Sequence, residues 1–334
     1  MKIVTPARLL AVGLILVAIF LGLLTFQSND YIFLPDKAHP VAPLVTVAGG
    51  HDPTHGGIYF VDVVVRKATW LEELLGGLHK GADLYPASAI DPPGVGESQR
   101  HTIDLQDMHR SQEIAAAVAL RADGKHVVMR PVGARVVAVD TTKPAFKKLE
   151  QDDVIVSIDG KRARSPHDIF VAMKKHHIGD VVTFSIQRRK QTLVERIKTV
   201  SSGGKPARPI VGVLLETALD VHLPIAVRID AGNVGGPSAG VAFALDVLEE
   251  LGRDVVHGHK IAATGELEPD GSVLPIGGIK QKTIGAREAG VDAFLVPAGD
   301  NAKQARKYAD GLRIIPVESF QQALRALATL PRTG

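Results

Sequence analysis

Hydrophobic positions are continuous at the start of the chain and become periodic after it. From Leu9 to Phe26 the run LLAVGLILVAIFLGLLTF carries no charge over 18 residues, enough at about 1.5 Å per residue to cross about 27 Å of hydrocarbon. Lys2 and Arg8 precede it and the first acid, Asp30, follows it. The positive-inside rule therefore places 1–8 in the cytoplasm and everything after the run outside the membrane. The following TFQSNDYIF offers no small-x-small cleavage site, so an uncleaved transmembrane helix over 9–26 is expected instead of a signal peptide.

Shorter periods follow. LVTVAG and GIYFVDVVV are β-branched and aromatic runs separated by the turn-rich GGHDPTHGG, which predicts a hairpin within Tyr31–Val65. Residues 83–100 (DLYPASAIDPPGVGESQR) lack a period and predict a surface loop. From Asp107 to Arg121 a helix is expected, with Ile114, Ala117 and Val118 on one stripe. Between His126 and Val200 strands surround one helix, whose start is marked by Ser165 as N-cap and Pro166 in its first turn. SSGGKPARP, 201–209, reads as a linker. Beyond it VGVLLE and PIAVRID are strand-like, and AGVAFALDVLEEL is a nearly all-apolar helix whose wet face is marked by Asp246, Glu249 and Glu250. Strands and helices then alternate to the end, the pattern of an α/β or α+β domain.

Composition narrows the function classes. A length of 334 residues predicts two or three folded units, and 45% hydrophobic with 22% charged residues excludes wholesale disorder and a polytopic membrane protein. The 39 basic against 36 acidic residues leave a small, scattered excess, so nucleic acid is not expected as a partner. With no cysteine, disulfides, thiolate zinc sites and a cysteine nucleophile are excluded.

Ser238 is the first candidate for chemistry. It lies in Gly236-Pro237-Ser238-Ala239-Gly240, where a glycine-rich loop becomes the apolar helix. A serine there is ordinarily an N-cap. Gly232, Gly235 and Gly236, however, clear side chains from around it, and helix N-terminal amides can stabilise an oxyanion. GPSAG also satisfies the G-x-S-x-G pattern of α/β-hydrolases, but only His257 and His259 follow it, too close to supply that triad. A nucleophilic serine here therefore needs a lysine made neutral by desolvation or by a neighbouring cation. Lys280 and Lys282 both follow the apolar VLPIGGI, and two positions along a helix they point about 200° apart, so one of them serves. Periodicity does not choose. His51, His55, His257 and His259 lack H-E-x-x-H or acidic company, and no metal is expected.

Two resemblances organise these pieces. DDVIVSIDGK, a helix, and a strand entered through GD resemble the second half of a PDZ domain, with Asp152 where that family usually has glycine. The resemblance implies a groove that captures extended polypeptide beside an exposed strand. GGPSAG, ATGEL, DGSVLPIGGIKQKTIGAREAG and FLVP resemble the proteolytic domain of the Lon protease family. That resemblance implies Ser238 as nucleophile, Lys282 as general base and Lys280 as its solvated neighbour. It also implies supporting roles for Gly235, Gly236, Pro237 and Thr264, with the Thr264 hydroxyl orienting the lysine amine. Gly235 departs from the family, many of whose ATP-dependent members carry an acid there. GIYFVDVVV and SQEIAAAVAL resemble the opening strand and first helix of the same domain.

The expected fold is therefore α+β, with an α/β-type Lon proteolytic domain, an inserted or preceding PDZ-like β-rich domain and one N-terminal transmembrane helix. Its parts are a cytoplasmic terminus 1–8, a span 9–26, an extracytoplasmic segment 27–125 that opens the Lon-type domain, a PDZ-like domain 126–200 and the remaining proteolytic part 201–334. No G-x-x-x-x-G-K-[ST] occurs, so ATP is not expected, and neither is any other cofactor. The expected activity is a membrane-anchored, ATP-independent serine endopeptidase that uses the Ser238-Lys282 dyad on extended or unfolded extracytoplasmic polypeptides with PDZ-assisted binding, and the resemblance implies a homo-oligomer, because Lon-type domains commonly form rings. Its rivals are a catalytically silent PDZ adaptor and a protease limited to self-processing.

Overall fold

The computed structural model describes residues 6–51, 56–76, 78–91 and 96–332. An apolar helix α1 (Pro6–Thr25) leads into the long strand β1 (Gln27–Pro40), a short strand β2 (Val45–Val47) and β3 (Gly57–Thr69). Helix α2 (Trp70–Leu75) opens with a capping box, Thr69 and Glu72 satisfying each other's backbone N–H. Next come β4 (Asp83–Tyr85), the one-turn α3 (Ala87–Ile90) and the 26-residue α4 (Glu97–Ala122). Strands β5 (Val128–Val139), β6 (Val154–Ile158) and β7 (Lys161–Arg162) precede α5 (Pro166–Met173), whose N-cap is Ser165 as its sequence predicts, with Asp168 completing a reciprocal cap. Then follow β8 (Val181–Arg188), β9 (Gln191–Lys198), the small pair β10 (Val200–Ser201) and β11 (Pro209–Ile210), β12 (Val213–His222) and β13 (Val227–Ile229). The C-terminal third runs α6 (Gly240–Glu250), β14 (Lys260–Ala263), β15 (Glu266–Leu267), β16 (Val273–Leu274), α7 (Ile279–Glu288), β17 (Ala293–Pro297), α8 (Asp300–Tyr308), β18 (Arg313–Val317) and α9 (Phe320–Leu327).

Two six-stranded sheets result. In the first, of order β18-β17-β14-β3-β1-β4, the strands from β18 to β3 are parallel, while β1 runs antiparallel to β3 and β4. Alternation along each strand sends neighbouring residues to opposite faces. Phe60, Ile261, Ala263 and Leu295 join α4, α6 and α9 in one core; Val61, Ala262, Phe294 and Val296 join α7 and α8 in another. Helices thus cover both faces of a sheet whose strands come from both ends of the chain. The second sheet, β12-β5-β6-β8-β9 with β7 on β6, encloses its own core around Phe184, Ile155 and Ile186, with α5 against it.

Several expectations change. No hairpin joins residues 45–47 to β3; β2 pairs with β13, and β3 takes β1 and β14 as neighbours. Part of the expected loop 83–100 is ordered as β4, α3 and the first turn of α4, because Asp83 and Asp91 are held by side chains of the folded core. The last four residues of VGVLLE, beyond the linker, open β12, which pairs with β5 over its whole length, so the PDZ-like sheet draws an edge strand from past residue 200. Asp246, Glu249 and Glu250 are all buried, and Glu249 accepts the N–H groups of Val255 and Val256 instead of facing water. The apolar helix ends at Thr25, and its side chains are described from Leu9 onward. Among the described residues no helix is long and apolar enough to cross a membrane, so the transmembrane helix expected over 9–26 is not supported.

Candidate active site

Helices from opposite faces of the first sheet meet at the carboxyl end of β14. Residues 264 and 265 leave that end, α6 starts beside it on one face and α7 on the other, a placement that in parallel sheets opens a crevice for ligands. Gly278, with φ of +68°, turns the chain into α7 while packed on Val63, where an added Cβ would lie 2.7 Å from Cγ2. Lys282 follows one turn later and points back toward β14.

There Lys282 Nζ donates to Ser238 Oγ at 2.5 Å and to Thr264 Oγ1 at 3.2 Å. Thr264 is fully buried, and its hydroxyl donates to the Ser238 carbonyl at 3.0 Å, a carbonyl that also accepts Gly265 N–H at 2.8 Å. Thr264 therefore touches both candidate partners. Ser238 is not the N-cap of α6: that position is Ala239, without a side-chain cap, and the serine hydroxyl is turned to the lysine instead. Lys282 is 4% exposed, and burial lowers its pKa to about 8, a shift that the negative charge of Asp62 on β3 opposes. With a pKa of about 8, about a tenth of this amine is neutral at pH 7, several hundredfold more than for an ordinary lysine, and a neutral amine is what a lysine base requires.

A cleft of about 690 Å³ lies over the pair, lined by the 233–238 loop, Pro275 to Gly277, Phe33, Val63 and Val65, with Asp62, Arg100, Asp104 and Glu266 as its charged groups. Burial raises the pKa values of Asp62, Asp104 and Glu266. Gly235 and Gly236 form the wall beside the serine. Gly236 has φ of +84° and donates to the Asp104 carbonyl at 2.7 Å. A Cβ on Gly235 would lie 2.7 Å from Asp104 Cβ, so α4 occupies the space that an acidic side chain at 235 would need. Pro237 presents its carbonyl to Ser111 Oγ at 2.9 Å.

Lys280 is not a solvated neighbour. Its side chain is 16% exposed, and its ammonium pairs with Asp83 at 2.7 Å and donates to the Ala82 carbonyl, while Gln281 donates to the Gly81 carbonyl and to Asp83. The face of α7 opposite Lys282 is covered because the chain before α4 returns across it, a contact between residues about 200 positions apart that no local pattern displays. Of the histidines, His257 and His259 face the C-terminal carbonyls of Leu330 and Pro331, and His55 lies outside the described residues. A different set, Asp36, His39 and Asp62, brings its ligand atoms within 4.8 Å of one another. The contributions of Ser111, Asp62, Arg100 and Asp104 were invisible locally; the only signal was the helix stripe that directs part of α4 inward.

Residues 178–329 match the family model of the Lon protease (S16) C-terminal proteolytic domain, and residues 103–199 match that of a PDZ domain. Lon protease 1 of Myxococcus xanthus is 38% identical over 118 residues, 34% of this chain and 14% of its own length. Lon protease of Azospirillum brasilense is 33% identical over 152 residues, 44% of this chain and 17% of its own. Lon protease 2 of Bacillus subtilis is 28% identical over 185 residues, 54% of this chain and 31% of its own. The chain thus spans less than a third of the length of these relatives. A solved PDZ domain of the SdrC-like protein of Listeria innocua is 25% identical, covering 25% of this chain and 92% of that one, with a TM-score of 0.24.

Proposed function

We propose that this chain is an ATP-independent serine endopeptidase in which Ser238 attacks the peptide carbonyl and Lys282 is the general base. The observation that carries this reading is the 2.5 Å contact between a buried lysine amine and a loop serine whose hydroxyl has no capping duty. Neutral Lys282 takes the Ser238 proton as Oγ bonds to the carbonyl carbon, and negative charge collects on the carbonyl oxygen. The amine then returns that proton to the leaving nitrogen as the C–N bond breaks, giving an acyl-serine. Water, deprotonated by the same amine, releases the acid and restores Ser238. Thr264 fixes the amine between its own oxygen and the serine's.

The PDZ-like sheet is read as an insertion between two parts of one catalytic domain, because β1 and β3 share a sheet with β14, β17 and β18. A cavity of about 460 Å³ between α5 and β12 is lined by Ile169, Phe170, Met173, Phe184 and Leu215, with 207–212 at its margin. Since β12 is an edge strand, an extended polypeptide can add to it and place apolar side chains in this cavity. Substrates are then extended or unfolded polypeptides.

For location we propose contact with a membrane through α1. Support comes from α1, whose large apolar side chains from Leu9 to Leu21 are more than half exposed and need an apolar cover. Trp70, Leu74 and Leu75 of α2 continue this surface, and Trp70 N–H donates to the Phe26 carbonyl. Trp70 is the sole tryptophan. In anionic vesicles its emission is expected to shift to the blue and to be quenched by brominated lipid; water-like emission quenched only by iodide would rule membrane contact out.

The activity test is digestion of an unfolded protein without nucleotide. Wild type is expected to cut, and Ser238→Ala and Lys282→Ala to be folded and inert. A folded wild type that cuts nothing and forms no adduct with serine-directed reagents would favour a silent adaptor. A single mass change in the chain itself, absent in Ser238→Ala and without turnover, would favour self-processing.

A further inference from the structure

The two carbonyls that flank the Ser238 Cα are both held from outside the loop. The Ser238 carbonyl is held by Thr264 Oγ1 and Gly265 N–H, the Pro237 carbonyl by Ser111 Oγ at 2.9 Å. In a planar trans peptide the C=O and the following N–H point in opposite directions, so holding one aims the other. Along the loop the Gly236 N–H is already committed to the Asp104 carbonyl, and Pro237 has none. The next amide along the loop is that of Ser238 itself, and its direction is set by the Pro237 carbonyl.

We infer that Ser111 is a positioning residue for the oxyanion site: by holding the Pro237 carbonyl toward α4, it turns the Ser238 N–H to the cleft, where charge develops on the substrate carbonyl oxygen. Ser111 is 3% exposed and touches no reacting atom. Its place is tightly defined, since a Cβ on Gly240 at the start of α6 would lie 3.0 Å from Ser111 Oγ. The neighbouring contact of α4, Asp104 carbonyl to Gly236 N–H, holds the same loop one peptide earlier. Helix α4 is therefore the backing against which the nucleophile loop keeps its amide pre-aimed, and such preorganised donors act more strongly on the transition state than on bound substrate.

This inference rests on the peptidase reading, and the experiment separates the two. In the full chain, Ser111→Ala, Ser111→Thr and Ser111→Val are compared with wild type on a fluorogenic peptide that wild type cleaves, and by affinity for a peptide boronic acid, which forms a tetrahedral serine adduct. Thr and Val have nearly the same shape and differ in the hydroxyl. The expected result is a fall in kcat of about ten- to a hundredfold in Ala and Val, with KM within about twofold and boronate affinity reduced in parallel. Thr should recover at least about tenfold over Val, and the rise of kcat/KM with pH should keep its midpoint, because Lys282 is untouched. If Thr is misfolded, the Ala variant decides by the same split of kcat from KM. Equal kcat in Ala and wild type, or a loss shared by kcat, KM and thermal stability in Val and Thr alike, would overturn the role. A wild type that neither cleaves nor binds boronate would sink the peptidase reading itself.

Discussion

A lysine that is only 4% exposed yet sits within hydrogen-bond reach of a serine is a chemical commitment, because the charged amine loses its hydration there. With its pKa lowered to about 8, kcat/KM should rise with pH through that region, as the neutral base form fills, and then level. Asp62 opposes the lowering, so Asp62→Asn should move the midpoint to lower pH; a pH–rate profile whose midpoint stays fixed would remove Asp62 from the electrostatics of the site. The same shift has a stability sign. Between about 8 and the ordinary lysine value of 10.5 the unfolded chain holds a proton that the folded chain has lost, so stability rises with pH across that window. Below it the buried charge costs stability. Lys282→Met is thus expected to be inactive but to melt higher than wild type at pH 7, which a thermal melt would check.

Elements set the distance between groups that single residues cannot. Lys282 reaches Ser238 because α7 lies very close to β1: a Cβ on Gly285 would fall onto the Asp36 carbonyl. Gly285→Ala should therefore push the helix off the sheet, losing about 1–3 kcal/mol of stability together with activity, although no reacting atom has changed. Denaturant unfolding alongside the activity assay measures both, and an active variant of normal stability would contradict the packing argument. On the other face of α7, Lys280→Ala removes the tie to Asp83 and frees β4. Its expected effect is increased proteolytic sensitivity near residue 83 with the candidate dyad still formed.

At the scale of the whole molecule, α4 lies between the two sheets. It reaches the loop of Ser238 through Ser111 and Asp104, and the PDZ-like sheet through Arg110, which meets Glu216 of β12 at 3.5 Å. Asp107 lies in this junction, where burial, and after it the negative charge of Glu216, raise its pKa to about 6. Between its ordinary 3.8 and about 6 the folded chain binds the extra proton, so this group's contribution to stability falls as pH rises through that window. Asp107→Asn should flatten that part of the stability profile and raise the melting temperature at pH 7. A profile identical to wild type would mean that the carboxyl is solvated.

Local pattern was enough for the features that depend on near neighbours. The Ser165 cap of α5, the nearly all-apolar α6 and the glycine-rich loop before it were legible because caps, helix stripes and turns are short-range. The motifs around Ser238, Thr264 and Lys282 were legible as candidates, and the fold brings these three side chains together. Tertiary structure alone decided which strands pair across the chain, as with β2 on β13 and β12 on β5, since any exposed edge of the right period can accept either partner. It also decided that Asp246 and Glu250 are buried, that Lys280 is tied down and that Ser111 reaches the loop of Ser238. The physical reason is common to all of these: burial and hydrogen bonding depend on what packs from far along the sequence, while composition and period describe only what each segment could offer.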